Sequence, residues 1–233
     1  MNSISIRADV VPVSIALPDV TLAGDLCVPA GASGVVLFAH GSGSSRRSPR
    51  NRFVAERLSA RGLATLLMDL LTPDEEWVDL QTRELRFDIG LLAPRVLGAA
   101  HWLAAHGATR GLAIGCFGAS TGAAAALVAA ASSPGMIAAV VSRGGRPDLA
   151  DGFLGAVEAP TLLIVGGLDD VVIELNRRAL ARMHCTADLK IVPGATHLFE
   201  EPGALELVAD LAADWFTRHL QPAAVEHGSL RGR

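Results

Sequence analysis

The sequence predicts an α/β protein, a mostly parallel sheet with helices on both faces, and three observations predict it. Short apolar runs with β-branched centres recur along the chain, as strands buried on both faces of a parallel sheet require. Segments with apolar residues at helical spacing lie between those runs. Several runs end in a Gly-bearing loop, and the carboxyl ends of strands are where such sheets gather functional residues. The chain has 233 residues, half of them hydrophobic and 24 of them Gly, enough for one packed core with many tight turns.

Residues Val10 to Val28 read as an antiparallel hairpin joined near Pro18–Asp19. The parallel strands then follow as Gly34–Ala39, Ala64–Met68, Leu112–Phe117, Ala138–Val141 and Thr161–Val165, with Leu189–Val192 a weaker last member. Arg52–Arg61 carries Phe53, Val54 and Leu58 at helical spacing. Ile89–Ala105 is a long apolar-faced helix, and Ala-rich Thr121–Ala131 can pack close to a sheet. Val172–Met183 follows the fifth parallel run, and Ala204–Leu220 places Leu205, Val208, Leu211 and Trp215 on one stripe. Connections are expected to be right-handed crossovers. Residues 1–220 read as one domain and 221–233 as a polar tail.

The net charge of −4 gives no electrostatic reason to expect nucleic acid or an anionic membrane as partner. The absence of Tyr removes one aromatic platform for single strands. No run approaches the roughly 18 apolar residues of a membrane span, and Met1 to Val11 lacks the pattern of a secretory signal. Cys27, Cys116 and Cys185 are odd in number, widely spaced and without metal-ligand spacing, which suits free thiols in a reducing cytoplasm. The oligomeric state is left open.

After Leu112–Phe117 comes Gly118-Ala119-Ser120-Thr121-Gly122. A serine between glycines, at a sharp turn from strand to helix, is exposed at the turn's apex with the helix N-terminus beside it. Cys116, two residues before the turn, reads as a small buried hydrophobe. A serine hydroxyl needs a base, and the base needs an orienting carboxylate. After Thr161–Val165 comes Gly166-Gly167-Leu168-Asp169-Asp170, so Asp169 is the candidate acid, with Asp170 the alternative and an N-cap role open to either. After the last strand, His197 stands in a Gly-containing loop, Pro193-Gly194-Ala195-Thr196-His197. His101 and His106 belong to a helix, His184 follows one, His219 ends one, and His227 is in the tail. The order Ser120, Asp169, His197 is that of an α/β-hydrolase triad.

A second oxyanion donor is expected after the strand ending at Ala39, where the sequence reads His40-Gly41-Ser42-Gly43-Ser44-Ser45. The backbone N–H groups of Thr121 and Ser42 are the candidates, with Gly41 the neighbouring one and His40 bracing the loop. A dinucleotide fingerprint fails here because Arg46 stands where its last Gly belongs, and there is no GK[ST] for a phosphate loop.

The segments HGSGSS (His40–Ser45), FGASTGAAAAL (Phe117–Leu127), LLIVGGLDDVV (Leu162–Val172) and VPGATHLFEEPGAL (Val192–Leu205) resemble the dienelactone hydrolase family of the α/β-hydrolase superfamily. The resemblance runs from about Val10 to Leu220. It implies the α/β-hydrolase fold with a minimal lid, action on esters, lactones or similar small acyl compounds, and no cofactor or metal. The family's namesakes carry Cys where this chain has Ser120, and hold a Glu near the place of His40, so the resemblance is to the Ser-bearing branch. Similar domains occur fused to phosphoribosyltransferase domains. A thioesterase or an acyltransferase would use the same triad, and a binding or regulatory module on the same scaffold is the reading of another class.

Arg46, Arg47, Arg50 and Arg52 follow the oxyanion loop, and Arg143 and Arg146 follow Ala138–Val141. Arg46, Arg143 and Arg146 are candidates to hold a substrate carboxylate or phosphate. Leu71–Gln81 is the nearest thing to a lid, and its Trp77 and Leu80 are candidate pocket residues. Glu200 and Glu201 read as solvated.

Overall fold

The computed structural model describes residues 9–221. The 222–233 part of the expected tail, His227 included, lies outside the described residues, as do residues 1–8 of the N-terminal stretch. Eight strands form one sheet in the order β1-β2-β4-β3-β5-β6-β7-β8. The strands are β1 (Val10–Ala16), β2 (Thr21–Cys27), β3 (Gly34–Ala39), β4 (Ala64–Met68), β5 (Ala113–Ala119), β6 (Ala139–Arg143), β7 (Thr161–Gly166) and β8 (Ala187–Val192). β1 and β2 pair antiparallel as the expected hairpin, β2 joins β4 antiparallel, and the remaining pairs are parallel.

Helices α1 (Pro49–Ala60) and α6 (Ala204–His219) pack together on one face. There Val54, Leu58, Val208 and Phe216 close over Val36, Phe38 and Val141. Helices α3 (Ile89–Ala105), α4 (Thr121–Ser132) and α5 (Asp170–Leu180) cover the other face, with Leu92, Val96 and Leu127 packed against Leu37, Leu66 and Val140. The central strands are buried on both faces because each alternates its side chains between these two cores. No helix among the described residues is long and apolar enough to cross a membrane.

Three helical segments go beyond the sequence reading, one of them a single 3-10 turn at Leu85–Phe87. Leu71–Gln81 overlaps nearly all of α2 (Pro73–Thr82), started by a reciprocal Thr72/Glu75 capping box with Pro at its first turn. That signal is present in the sequence, but α2 has no apolar stripe to announce it. A 3-10 segment at Pro147–Ala156 follows β6. α1 begins at Pro49 rather than Arg52, because the Ser48 hydroxyl caps it by accepting the N–H of Asn51 at 3.3 Å. β6 runs two residues further than expected, which makes Arg143 the last residue of a buried strand.

Candidate active site

Ser120 stands between β5 and α4 with φ of 50° and ψ of −118°, a left-handed-side conformation costly for any residue with a side chain. Its neighbours make that turn possible. A Cβ on Gly118 would lie 2.4 Å from Ala123 Cα, and one on Gly122 would lie 2.2 Å from the Ala39 carbonyl oxygen. The strand-to-helix turn therefore closes only with glycine at both places. The Ser120 N–H donates to the Arg143 carbonyl at 3.2 Å, and the Ser120 carbonyl accepts from Ala123 and Arg146 N–H groups, both at 3.1 Å. Cys116 is fully enclosed in β5, and burial pushes its thiol up to about 12, so it is an inert core residue.

The loops after β7 and β8 are tied together by Gly167 N–H to the Val192 carbonyl (2.8 Å) and Leu168 N–H to the Ala195 carbonyl (2.9 Å). This tie brings Asp169 Oδ2 to 2.6 Å from His197 Nδ1. Asp169 precedes α5 but makes no capping bond with its side chain, whereas Asp170 is exposed as the helix's first residue. Of the two carboxylates, Asp169 is the one that reaches the histidine. With Nδ1–H directed at Asp169, His197 Nε2 is the nitrogen left to act as a base. The His197 ring abuts Gly144, where a Cβ would lie 3.4 Å from its Cε1. Gly144 follows Arg143, whose carbonyl holds the Ser120 N–H. Among the described residues no hydrogen bond joins Ser120 Oγ to His197. Such bonds are often long before substrate binds.

The loop after β3 packs directly on the serine turn. A Cβ on Gly41 would lie 3.0 Å from Ser120 Cβ, and Ser42 Oγ is 3.1 Å from Thr121 Oγ1. Among the described residues no acceptor takes the N–H of Ser42 or of Thr121. Both donors are held beside Ser120 by the side-chain contact between their own residues. His40 braces this loop. Its Nδ1–H donates to the Gly41 carbonyl at 2.9 Å, and its Nε2 accepts the Leu70 N–H at 3.0 Å. That pattern needs the neutral ring, and burial pushes the His40 pKa down.

A cleft of about 60 Å³ opens beside these donors, lined by Gly41, Ser42, Leu70, Leu80, Arg86 and Thr121 among others. Its outer wall is α2. Trp77 lies away from the cleft lining and is 66 % exposed, so of the two expected lid residues it is Leu80 that reaches the cleft. Sequence reasoning missed the charges that set this wall. Asp79, buried on α2, accepts from the N–H of Arg86 (2.9 Å) and from its Nε (2.6 Å). Glu75 takes a two-pronged grip from Arg95 at 2.7 and 2.6 Å, and that partner above all holds its carboxyl down at about 2. Only the capping-box pattern at Thr72 and Glu75 hinted at any of this.

The three candidate anion-binding arginines separate cleanly. Arg46 is engaged by Asp69 through its N–H and its guanidinium, with Asp25 3.5 Å from its Nε. Arg146 is held by Asp148 through two bonds, at 2.8 and 2.7 Å. Both carry a carboxylate of this chain and neither lines the cleft, which removes the reason to give them a substrate anion. Arg143 is different, since it is buried and no acceptor among the described residues bonds its guanidinium.

Residues 22–221 match the family model of the dienelactone hydrolase family. A solved dienelactone hydrolase from Anabaena variabilis is 59 % identical and superposes with a TM-score of 0.91 over 92 % of this chain and 100 % of its own. Est1E from Butyrivibrio proteoclasticus, at 16 % identity, shares the fold with a TM-score of 0.75 over 89 % of this chain and 98 % of its own. Proteins from two strains of Mycobacterium tuberculosis that carry the provisional name phosphoribosyl transferase are 59 % identical over 208 residues. The match covers 89 % of this chain but 46 % of theirs, so the chain spans about half the length of these relatives.

Proposed function

The chain belongs to the dienelactone hydrolase family, and from that premise we propose that it is a serine hydrolase cleaving a carboxylic ester or lactone through Ser120, His197 and Asp169. One observation carries the reading. A serine held at positive φ between two obligatory glycines shares the carboxyl end of the parallel strands with a histidine whose Nδ1 lies 2.6 Å from a carboxylate.

In the proposed reaction, Ser120 Oγ attacks the acyl carbon while His197 Nε2 takes its proton. The carbonyl oxygen gains charge and is stabilised by the N–H groups of Ser42 and Thr121, at the positive end of α4. His197 then returns the proton to the leaving alcohol, or to the ring-opened hydroxyl of a lactone, and the acyl group stays on Ser120. Water, activated by the same imidazole, releases the acid. Asp169 holds the ring in its Nδ1–H tautomer and stabilises the imidazolium that forms. Every proton in this cycle passes through His197, so no cofactor is needed to balance it. The apolar side of the cleft, Leu70, Leu71, Leu80 and Leu92, suits a small acyl group. A thioesterase or acyltransferase would differ only in the group that leaves or accepts. The transferase name of the mycobacterial relatives fits their unmatched portion better than this one, because the matched portion is the part that resembles a whole dienelactone hydrolase chain.

The test is a fluorophosphonate probe read by intact mass. Wild type is expected to take one adduct and Ser120→Ala none, while hydrolysis of a small ester falls by about 10⁴-fold or more in the variant. Wild-type turnover in Ser120→Ala would sink the assignment. A folded wild type that takes no adduct would favour a non-catalytic binding module.

A further inference from the structure

Arg143 and Gly144, where β6 ends, lie between the serine turn and the His197 loop. The Arg143 carbonyl accepts the Ser120 N–H at 3.2 Å. Gly144, at φ of 52°, donates its N–H to the Ile164 carbonyl of β7 at 2.8 Å. His197 lies directly against it, since a Cβ on Gly144 would stand 3.3 Å from the His197 carbonyl oxygen and 3.4 Å from its ring Cε1. The Arg143 side chain reaches the same loop by another route. Ala139, Val141 and Arg143 alternate onto the α1/α6 face of β6, so the guanidinium enters the core rather than the solvent. The residue is 7 % exposed, and its Nε and Nη1 are enclosed with no acceptor among the described residues. Its Cζ lies 6.0 Å from the centre of the ring of Phe199, two residues after His197. Burial above all pulls its pKa down to about 10, which leaves it charged at neutral pH.

A buried charge without a counter-charge is costly, and buried polar groups are hydrogen-bonded almost without exception. An apolar side chain of the same length would fill this space without that cost, so stability alone does not account for a guanidinium here. What the cation does supply is attraction to the face of an aromatic ring, which is stronger where water is excluded. The ring is one that needs holding. Phe199 is buried at φ of 57°, an unfavourable conformation for a bulky residue, and such strain persists only where the surroundings enforce it. The Phe199 N–H donates to the Thr196 carbonyl at 3.2 Å and closes a turn with His197 inside it. Whatever fixes Phe199 therefore fixes one end of the turn that carries the base. We propose that Arg143 is a positioning residue: its guanidinium holds Phe199, and with it the His197 turn, while its carbonyl holds Ser120, so that one residue sets the spacing of nucleophile and base. The kinetic consequence rests on the hydrolase reading, whereas the hold on the turn does not.

The experiment compares wild type with Arg143→Met, Arg143→Lys and Phe199→Leu by ester kinetics, thermal melts and hydrogen exchange. Arg143→Met removes the charge and keeps an apolar stem. Its kcat is expected to fall by about tenfold or more with KM within about twofold, because a small misplacement of base against nucleophile is felt in the chemical step. Its melting temperature is expected to equal or exceed that of wild type, since the uncompensated buried charge is gone. Amides of residues 194–201 are expected to exchange about tenfold faster in Arg143→Met, while those of α3 and α4 stay as they are. Arg143→Lys keeps a cation for the ring and is expected to recover at least about half of the lost kcat. Phe199→Leu tests the contact from its other side, and combining it with Arg143→Met is expected to add no further loss. A wild-type kcat in Arg143→Met, or no rescue by Arg143→Lys, would overturn the proposal. So would an Arg143→Met protein that loses stability along with activity, since Arg143 would then be a structural residue. A wild type that takes no fluorophosphonate adduct fails the hydrolase reading, and hydrogen exchange in Arg143→Met then decides the hold on the turn by itself. A labelled wild type with unchanged exchange in Arg143→Met fails the positioning role alone.

Discussion

The two walls that flank Ser120 treat charge in opposite ways. On the oxyanion side, the arginines near the cleft are spoken for: Arg46 by Asp69, Arg86 by Asp79, Arg95 by Glu75. Their hydrogen bonds fix loops and the α2 wall, and little of their charge is left to act at a distance. On the acid–base side, Asp169 bonds His197, and Arg143 is enclosed with no carboxylate at all. Positive φ does not follow that division: among the described residues, Arg83 ends α2 on one wall, Phe199 lies just beyond His197 on the other, and Ser120 stands between them. One wall spends its charges on arginine–carboxylate pairs, and the other leaves a buried arginine without such a pair.

The sharpest way to break this contrast is at the two adjacent aspartates. Asp169→Asn is expected to lower kcat/KM by about 10⁴-fold with a melting temperature close to that of wild type, because the wrong imidazole tautomer is held in an otherwise intact site. Asp170→Asn, at an exposed helix start, is expected to stay within about twofold. Ester kinetics and a thermal melt on both variants decide it, and an equal loss from Asp170→Asn would undo the assignment of roles. The opposite wall reverses the outcome. Asp79→Ala strands Arg86, and its expected first effect is on stability, about 3 kcal/mol by urea unfolding. An Asp79→Ala protein as stable as wild type would show that this pair is not holding α2 in place.

The division between the walls also marks where the sequence was readable. The parallel strands could be read because Gly34–Ala39 and Thr161–Gly166 are buried on both faces and therefore nearly free of polar side chains. Ser120, Asp169 and His197 could be placed just after strands because a strand-tip position is a property of chain order. Pairing is not a property of chain order. Arg46, Arg143 and Arg146 look alike in sequence, and what separates them is whether a carboxylate from elsewhere in the chain reaches each one. Asp69 lies 23 residues from Arg46, at the end of a neighbouring strand. α2 escaped detection for a related reason: its buried inner residue is Asp79, so its inward face carries a charge where an apolar stripe would have shown.

The smallest expected effect is a pH dependence that belongs to the oxyanion wall. His40 must be neutral to accept the Leu70 N–H while donating to the Gly41 carbonyl, and its pKa is pushed down by burial, against the opposing pull of the Gly41 bond and of Asp69 and Glu76. The unfolded chain's His40 takes a proton near the ordinary 6.5. The folded chain's His40 resists it, so more protons are bound in the unfolded state as pH falls below that value. This contribution to stability is complete above pH 6.5 and is lost as pH drops from there toward the lower folded-state value, at no more than about 1.4 kcal/mol per pH unit. His40→Gln removes the titration, so the difference in unfolding free energy between it and wild type is expected to narrow between pH 7 and pH 5. A constant difference across that range would mean that the folded ring takes up its proton as readily as the unfolded one, so that the hydrogen bond from Leu70 does not hold it neutral.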